Sequence, residues 1–339
     1  MRVAVVGGGL FGSLAAVELA RAGVAVTLYE RHGDLLMGAT RANQGRIHRG
    51  YHYPRDPAAG GLAEHADRLV ARLPGAVVQG NTHHYLIADG SLVDAVRYEQ
   101  FCRAAGLPWQ PSPSSLVLGD PVTVRAPEAF LDVDRARTIL RRELLAAGVR
   151  VLVGASGRTA ADVDALTWHY DRVVDTTYGR YWPGPLRYEV CETALIELGP
   201  RYRGQSFVVM DGPYVSLDPH GPAHMLYDVR HSVHAVSETP EAVPEYLAPL
   251  LDRGLVRTDH THLPDMLATA RRFLSLPDRP TYLGSLFTVR AVLPDDGTDA
   301  RPTLIRTDGA VTRVLAGKLC TAPWAAEQVA RQLAPVPVG

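Results

Sequence analysis

The chain has 339 residues, 46% hydrophobic and 21% charged, an ordinary globular composition that can bury a large core without disulfide or metal staples. Its 35 basic and 36 acidic side chains leave a formal net charge of −1, which argues against a general nucleic-acid binder, a local basic patch aside. Cys102, Cys191 and Cys320 are odd in number and widely spaced, forming neither a disulfide framework nor a zinc pattern, so a reducing cytoplasm is expected.

Residues 2–6, RVAVV, predict a buried parallel strand. No charged run followed by an apolar one precedes it, so no signal peptide is expected. Glu18 and Arg21 interrupt the most apolar early stretch, which speaks against a membrane span. The strand runs into Gly7-x-Gly9-x-x-Gly12. LFGSLAAVELARAG then predicts a helix with Leu10, Leu14, Val17 and Ala20 on its buried side and Gly23 as its stop. VAVTLY is a second strand and ends at Glu30. Strand, glycine turn, helix, strand and acid follow one another within 30 residues, the order of a dinucleotide site. Gly7 permits the tight turn, Gly9 lets the backbone approach a pyrophosphate, and Gly12 lets the helix pack on the strand. The helix N-terminus offers free N–H groups to the diphosphate, and Glu30 can accept hydrogen bonds from a ribose diol. The fingerprint alone leaves FAD and NAD both open.

Next comes GATRANQGRIHRGYHYP, residues 38–54, with three arginines, two histidines, two tyrosines, an asparagine and a glutamine. Its donors suit anionic oxygens and its glycines allow close approach. Residues 59–73 predict a helix, and residues 80–107 a strand, an Asp-Gly turn and a helix. A further helix starts near Asp132, stops at Gly148 and leads into a strand. Val173 and Val174 run into Asp175-Thr176-Thr177-Tyr178-Gly179. Residues 186–236 alternate apolar and polar positions, which predicts an antiparallel sheet with one face solvated or lining a cavity. The run 240–280 is expected to be helical and punctuated by proline, before a strand at YLGSLFTVRAVLP. VLAGKLCTAPWAAEQVARQL, residues 314–333, predicts a strand ending at Gly317-Lys318 and a helix. Lys318 is the only lysine beside 34 arginines, so it can mark a place that needs a compact ammonium. His220 with His224, or His260 with His262, could bind metal, but no third ligand has motif spacing and no metal is expected.

GGGLFG, Gly38-Ala39-Thr40 with Asn43, Gly45-Arg46-Ile47-His48-Arg49-Gly50, LFTVRAVLPDDGTDARPTLI at 286–305 and Gly317-Lys318-Leu319 together resemble one family. It is that of the FAD-dependent oxidoreductases of the D-amino-acid oxidase superfamily. The nearer likenesses are to L-2-hydroxyglutarate oxidases and flavin-linked glycerol-3-phosphate dehydrogenases. The resemblance implies an α/β fold with a Rossmann-like FAD-binding domain over residues 1–75, 126–185 and 300–339. Interleaved with it would be an α+β substrate domain over 76–125 and 186–299, containing a mostly antiparallel sheet.

The cofactor contacts implied at the nucleotide end are Gly7, Gly9, Leu10, Phe11, Gly12, Glu30 and Arg31, with Val153 beside the adenine. Thr40, Arg41 and Asn43 would lie near the diphosphate and ribityl chain, and Gln44, Gly45, Arg46, Ile47 and His48 would pass the isoalloxazine. Thr177 would also touch the cofactor, although Thr-Thr-Tyr-Gly departs from the family's usual Ala-Thr-Gly or Cys-x-Gly. Gly317, Lys318 and Leu319 would lie beside the flavin, where the helix dipole favours negative charge on its reduced form. Cys320 does not match the position of the cysteine tethers known among relatives. By the same likeness Arg290 lies over the flavin and holds an anionic substrate group with its planar fork, and Tyr53, Tyr227 and Arg230 join it at the substrate. The catalytic candidates are His48, His52, Arg290 and Lys318, with His231 and His234 also expected near the cavity. Arg49 stands where the family usually has a small residue. The implied reaction is hydride transfer from a C–O or C–N carbon of a small polar substrate to the flavin, which oxygen or another acceptor then reoxidises. A protein that binds FAD without redox chemistry, or an NAD-dependent dehydrogenase, is the alternative.

Overall fold

The structure is a computed structural model and describes residues 1–155, 160–294 and 297–334. Asp295 and Asp296 of the 286–305 stretch, and the last five residues, lie outside the described residues. Six strands form a first sheet in the spatial order Leu304–Asp308, Val311–Leu315, Arg172–Asp175, Arg2–Val6, Ala25–Tyr29, Arg150–Leu152. Neighbours pair in parallel except at the Leu304–Asp308 edge, which runs antiparallel to Val311–Leu315. Val3 to Val6 are buried, as a continuous apolar run in a sheet covered on both faces demands. Helix Leu10–Arg21 packs on one face with Leu62–Arg72, Val133–Ala146 and Ala322–Leu333, around Leu14, Leu69, Leu140 and Val329. Val163 and Tyr181 cover part of the other face. Gly23, with φ of +82°, ends the first helix by donating its N–H to the Ala20 carbonyl at 3.0 Å. Asp132 starts the helix Val133–Ala146, its carboxylate accepting from the Arg135 N–H at 3.0 Å.

A second sheet has eight strands, in the order Val233–Ser237, Arg187–Glu197, Ala223–Asp228, Val215–His220, Gln205–Met210, Thr82–Ile87, Val122–Ala126, with Thr281–Val292 on the far edge of Arg187–Glu197. Only the Gln205–Met210 and Thr82–Ile87 pair is parallel, so the sheet is mostly antiparallel as expected. Helix Leu263–Ala270 packs into one core of this sheet and helix Ala95–Ala104 into another. Arg46–Ile47, Ala129–Leu131 and Val77–Val78 make a small third sheet. The segment 42–46 lies against the second sheet: the Ala42 carbonyl accepts from Thr193 at 3.3 Å and the Gln44 amide bonds Ser216 at 2.9 Å.

The expectation of a helical run over 240–280 is corrected. Apart from the short turn Ala248–Leu250, only Leu263–Ala270 is helical there. Pro240, Pro244, Pro249, Pro277 and Pro280 each lack the N–H that a helix interior needs, whereas Pro264 stands in the first turn, where that loss costs nothing. No helix among the described residues is long and apolar enough to cross a membrane.

Candidate active site

A cleft of about 480 Å³ opens beyond the end of strand Arg2–Val6, lined by Val6, Gly7 and Gly9 on one side and Thr176 to Tyr178 on another. The three fingerprint glycines do different work. A Cβ on Gly12 would stand 1.9 Å from the Gly7 carbonyl oxygen, so this position must be bare for the helix to meet the strand. Gly7 has φ of +104°, and its Cβ would stand 2.8 Å from the Thr176 carbonyl. At Gly9 only the Thr40 hydroxyl comes near, at 3.5 Å, so the missing side chain leaves open space in the cleft. The first turn of helix Leu10–Arg21 carries no acidic residue to cancel its positive end. Glu30 at the end of the second strand is buried and held by the N–H groups of Gly8 at 2.6 Å and His32 at 2.7 Å. A bare cradle, an unopposed helix N-terminus and a fixed carboxylate suit the diphosphate and ribose of a dinucleotide.

Of the expected cofactor residues, Gly7, Gly9, Leu10, Phe11, Glu30, Arg31, Thr40, Asn43, Thr177, Gly317 and Leu319 line this cleft. Gly12 lies beneath it, in the helix–strand contact. The Thr177 N–H and hydroxyl are anchored on Asp175 at 2.9 and 2.7 Å, and the Gly317 N–H donates to Thr303 at 2.9 Å. Gly317 must also be bare, because its Cβ would stand 2.2 Å from the Arg301 carbonyl.

The structure gives several other residues a different place. Val153 is exposed and does not line the cleft, whereas Ala155 does. Arg41 turns to Met37 and lies within 3.0 Å of where a Gly254 Cβ would be. Gln44 reaches Ser216, and Ile47 is core. Gly45 adopts φ of +74° against Leu131. Arg46 is the largest change: its guanidinium is buried and bonds Ser206 at 2.6 Å, Glu128 and His83 at 3.1 Å each, and Asp218. Burial opposes its charge, but Asp218, Tyr85 and Glu128 hold its pKa raised. A local reading of a basic loop could not foresee carboxylates 82 and 172 residues away.

Beside the cleft the chain gathers a second set of groups. Lys318, between two cleft-lining residues, is buried; its Nζ donates to Asp56 at 3.0 Å and lies 4.0 Å from the Tyr53 ring centre. The His48 and His52 rings lie 5.2 Å apart and 5.2 and 4.9 Å from Tyr53. Both Nδ1 atoms are buried without a hydrogen-bond partner, and that of His48 is 4.0 Å from the Glu128 carboxylate. Burial pushes His48 well below its ordinary pKa and His52 down to about 3, Asp299 pulling the latter the other way. Both are therefore neutral near pH 7.

Arg290 is held by Glu189, which accepts from its Nε at 3.0 Å and its Nη2 at 2.5 Å, and lies 5.8 Å from the Tyr227 ring centre. The Tyr227 hydroxyl is buried without a hydrogen-bond partner, although the Cys191 thiol is close enough to interact. Burial raises the pKa of Tyr227 and Tyr178, and Arg290 and Arg301 each pull both the other way. Arg301, paired with Asp299 at 2.9 Å, also acts on Tyr53 and His52, so it stands at the meeting of the two groups.

Arg230 does not join them. It is exposed beyond the end of strand Ala223–Asp228, in a different hollow with Tyr214 and Arg272. His231 pairs with Asp228 at 3.0 Å, and His234 is buried against Glu192 at 2.8 Å with its ring stacked 3.7 Å from that of His262. No group of three metal-ligating side chains occurs among the described residues. Sequence reasoning missed Arg301, Tyr178 and Glu189. Arg301 had a signal in the Asp-x-Arg-Pro of the 286–305 stretch, and Tyr178 had one in its place before Gly179 at the turn that follows Val173-Val174.

The chain's residues 2–263 match the model of the DAO family, FAD-dependent oxidoreductases. The FAD-dependent monooxygenase FPY4 of Fusarium mangiferae is 26% identical over 348 residues, covering 96% of this chain and 89% of its own. The solved L-amino acid deaminase from Proteus vulgaris has a TM-score of 0.69 at 14% identity, covering 100% of this chain and 94% of that one. The glycerol-3-phosphate dehydrogenase from Bacillus halodurans, solved with FAD, has a TM-score of 0.64 at 16% identity, covering 98% of this chain and 65% of that one. The chain belongs to the DAO family of FAD-dependent oxidoreductases, and it is an enzyme whose cofactor is FAD.

Proposed function

We propose that the protein oxidises the carbon bearing the amino or hydroxyl group of a small carboxylate substrate, an amino acid or its hydroxy analogue. The observation that carries this reading is that Arg290, fixed by Glu189 beside Tyr227, and two neutral, half-buried histidines both stand near Arg301 next to the cofactor cleft. Bound FAD supplies the two-electron acceptor for a hydride from the substrate carbon. Arg290 presents a planar fork that suits a carboxylate, and Arg301 adds positive charge nearby. Tyr178 lines the cleft, with Tyr53 against Lys318 and Tyr227 against Arg290, and these rings can keep water from the breaking C–H bond. The neutral imidazoles of His48 and His52, 5.2 Å apart beside Tyr53, can take a hydrogen bond from a substrate amine or hydroxyl and orient it. Burial makes a proton held there costly, so it passes on to solvent or product. Lys318, tied to Asp56 over the Tyr53 ring, is a fixed positive charge beside Gly317 and Leu319, suited to offset negative charge that develops in the cleft. Oxygen or another acceptor reoxidises the cofactor.

The test is anaerobic mixing of the yellow protein with a panel of amino acids, hydroxy acids and their uncharged amides. Bleaching of the flavin band by acids but not by their amides is the expected result, and Arg290→Lys should raise the substrate concentration needed by about tenfold or more while flavin stays bound. Equal bleaching by acids and amides would overturn the carboxylate assignment. Oxygen from labelled O₂ appearing in the organic product would instead place the reaction with monooxygenation.

A further inference from the structure

A hollow of about 210 Å³, separate in its lining from the cofactor cleft, is formed by Pro213, Tyr214, Arg230, Thr269 and Arg272. We propose that it is a second, non-catalytic oxyanion site, for phosphate or the phosphate monoester of a small metabolite.

Two guanidiniums converge there from different parts of the chain, and neither has an ion-pair partner among the described residues. The backbone of the first and the side chain of the second are held in place. The Arg230 backbone belongs to a stapled turn: the Asp228 carboxylate accepts from the N–H groups of Arg230 at 2.8 Å and His231 at 3.2 Å, and the Asp228 N–H donates to Ser232 at 3.0 Å. The second Asp228 oxygen is taken by the His231 ring at 3.0 Å, so this buried carboxylate is committed inside the turn and does not occupy the arginines. Arg272 follows the helix Leu263–Ala270 and lays its guanidinium 5.3 Å from the Phe273 ring centre. Phe273 in turn packs edge-on against Tyr214 at 5.4 Å and 77°, which fixes the phenol at the hollow's wall.

The donor set selects the ligand class. Two guanidinium forks offer more donors than a planar carboxylate, satisfied by one fork, can use, while the Thr269 hydroxyl, donating to the Asp265 carbonyl at 3.2 Å, and the Tyr214 phenol, donating to the Asp89 carbonyl at 3.5 Å, wall the hollow. A tetrahedral oxyanion can accept from both forks at once. The volume leaves room for a small organic group beyond the phosphate.

The test uses the flavin-loaded protein, in which the dinucleotide cleft is already filled, titrated calorimetrically with inorganic phosphate at low ionic strength, where exposed charges are least screened. Saturable binding is expected, about tenfold weaker in Arg230→Gln and in Arg272→Gln and lost in the double variant. Both side chains are exposed, so the variants should keep the flavin spectrum and thermal unfolding of the parent. Sulfate should compete. No saturable binding by the parent, undiminished binding by the double variant, or tighter binding of succinate than of phosphate would each overturn the assignment.

Discussion

The glycines of the fingerprint look interchangeable in the sequence, yet Gly9 and Gly12 predict different mutants. Gly9→Val should fold, because the protein itself leaves that direction open, and should fail to retain FAD, because the side chain fills the cradle. Gly12→Ala should instead lower the stability of the protein by about 1–3 kcal/mol, because its methyl meets backbone that cannot move aside. Flavin content and urea unfolding measured together separate the two; a yellow, fully loaded Gly9→Val would sink the cradle assignment. His52 makes a prediction in pH. Burial lowers its folded pKa from 6.5 to about 3, so between these values the unfolded chain binds more protons than the native one. Stability should fall as pH drops through that window and level off below it, this group contributing up to about 1.4 kcal/mol per pH unit. His52→Phe should lose less stability than the parent between pH 6.5 and pH 4.5, and parallel losses would show that the imidazole is not buried neutral. Single residues were also where sequence reading went astray. Tyr227 and Arg230 are three apart, but strand Ala223–Asp228 ends between them, and the turn leaves the Tyr227 hydroxyl enclosed and Arg230 at the surface.

Strand pairing does for Arg290 what sequence could only suggest. The residues next to that arginine in the chain do not reveal Glu189, which is its direct cross-strand partner in the long antiparallel pair Arg187–Glu197 and Thr281–Val292. The pair is adjustable at one end: Arg187 also reaches Glu189, at 2.7 Å, from the exposed side. Glu189→Gln should therefore leave Arg290 charged but less firmly aimed. A rise of about tenfold in KM with a smaller change in kcat is expected, since the interaction is with a group remote from the reacting carbon. A fall in kcat with KM unchanged would mean that Glu189 acts on the chemical step. The elements that could be read beforehand were those whose periodicity is local. The strand–glycine–helix–strand opening follows from a continuous apolar run and helical spacing, and the helix after Asp132 from its cap. The run 240–280 defeated the same method, because its apolar residues pack individually onto the second sheet and its prolines keep the backbone from closing helical bonds.

At the scale of the molecule, the segment 38–54 after the strand Ala25–Tyr29 does more than flank a cofactor. Arg46 pairs along the small sheet with Phe130, while its side chain reaches Ser206 and Asp218 on two strands of the second sheet and Glu128 just before the small-sheet strand Ala129–Leu131. Glu128 also accepts from the Tyr85 hydroxyl and the Arg49 N–H, both at 2.8 Å, so one guanidinium and two carboxylates form the centre of a buried polar knot. Sequence could supply the basic loop and the two layers separately, but not the contact that ties them, because its partners come from distant turns of the chain. The energetic consequence is lopsided. Forming such a cluster gains little over an apolar filling, whereas deleting its only cation strands two buried carboxylates. Arg46→Met should thus cost about 3–5 kcal/mol of stability, against about 0.3–0.5 kcal/mol for Arg103→Met, whose pair with Glu99 is exposed on one helix. Urea unfolding of both variants with FAD bound, followed by flavin fluorescence and by far-ultraviolet circular dichroism, checks this. The loss for Arg46→Met should also depend on pH: lowering it toward 4 favours protonation of the stranded Asp218, whose pKa burial already raises, and should narrow the gap to the parent. A gap that is small and constant with pH would mean that the knot is packing alone and that its charges balance without the arginine.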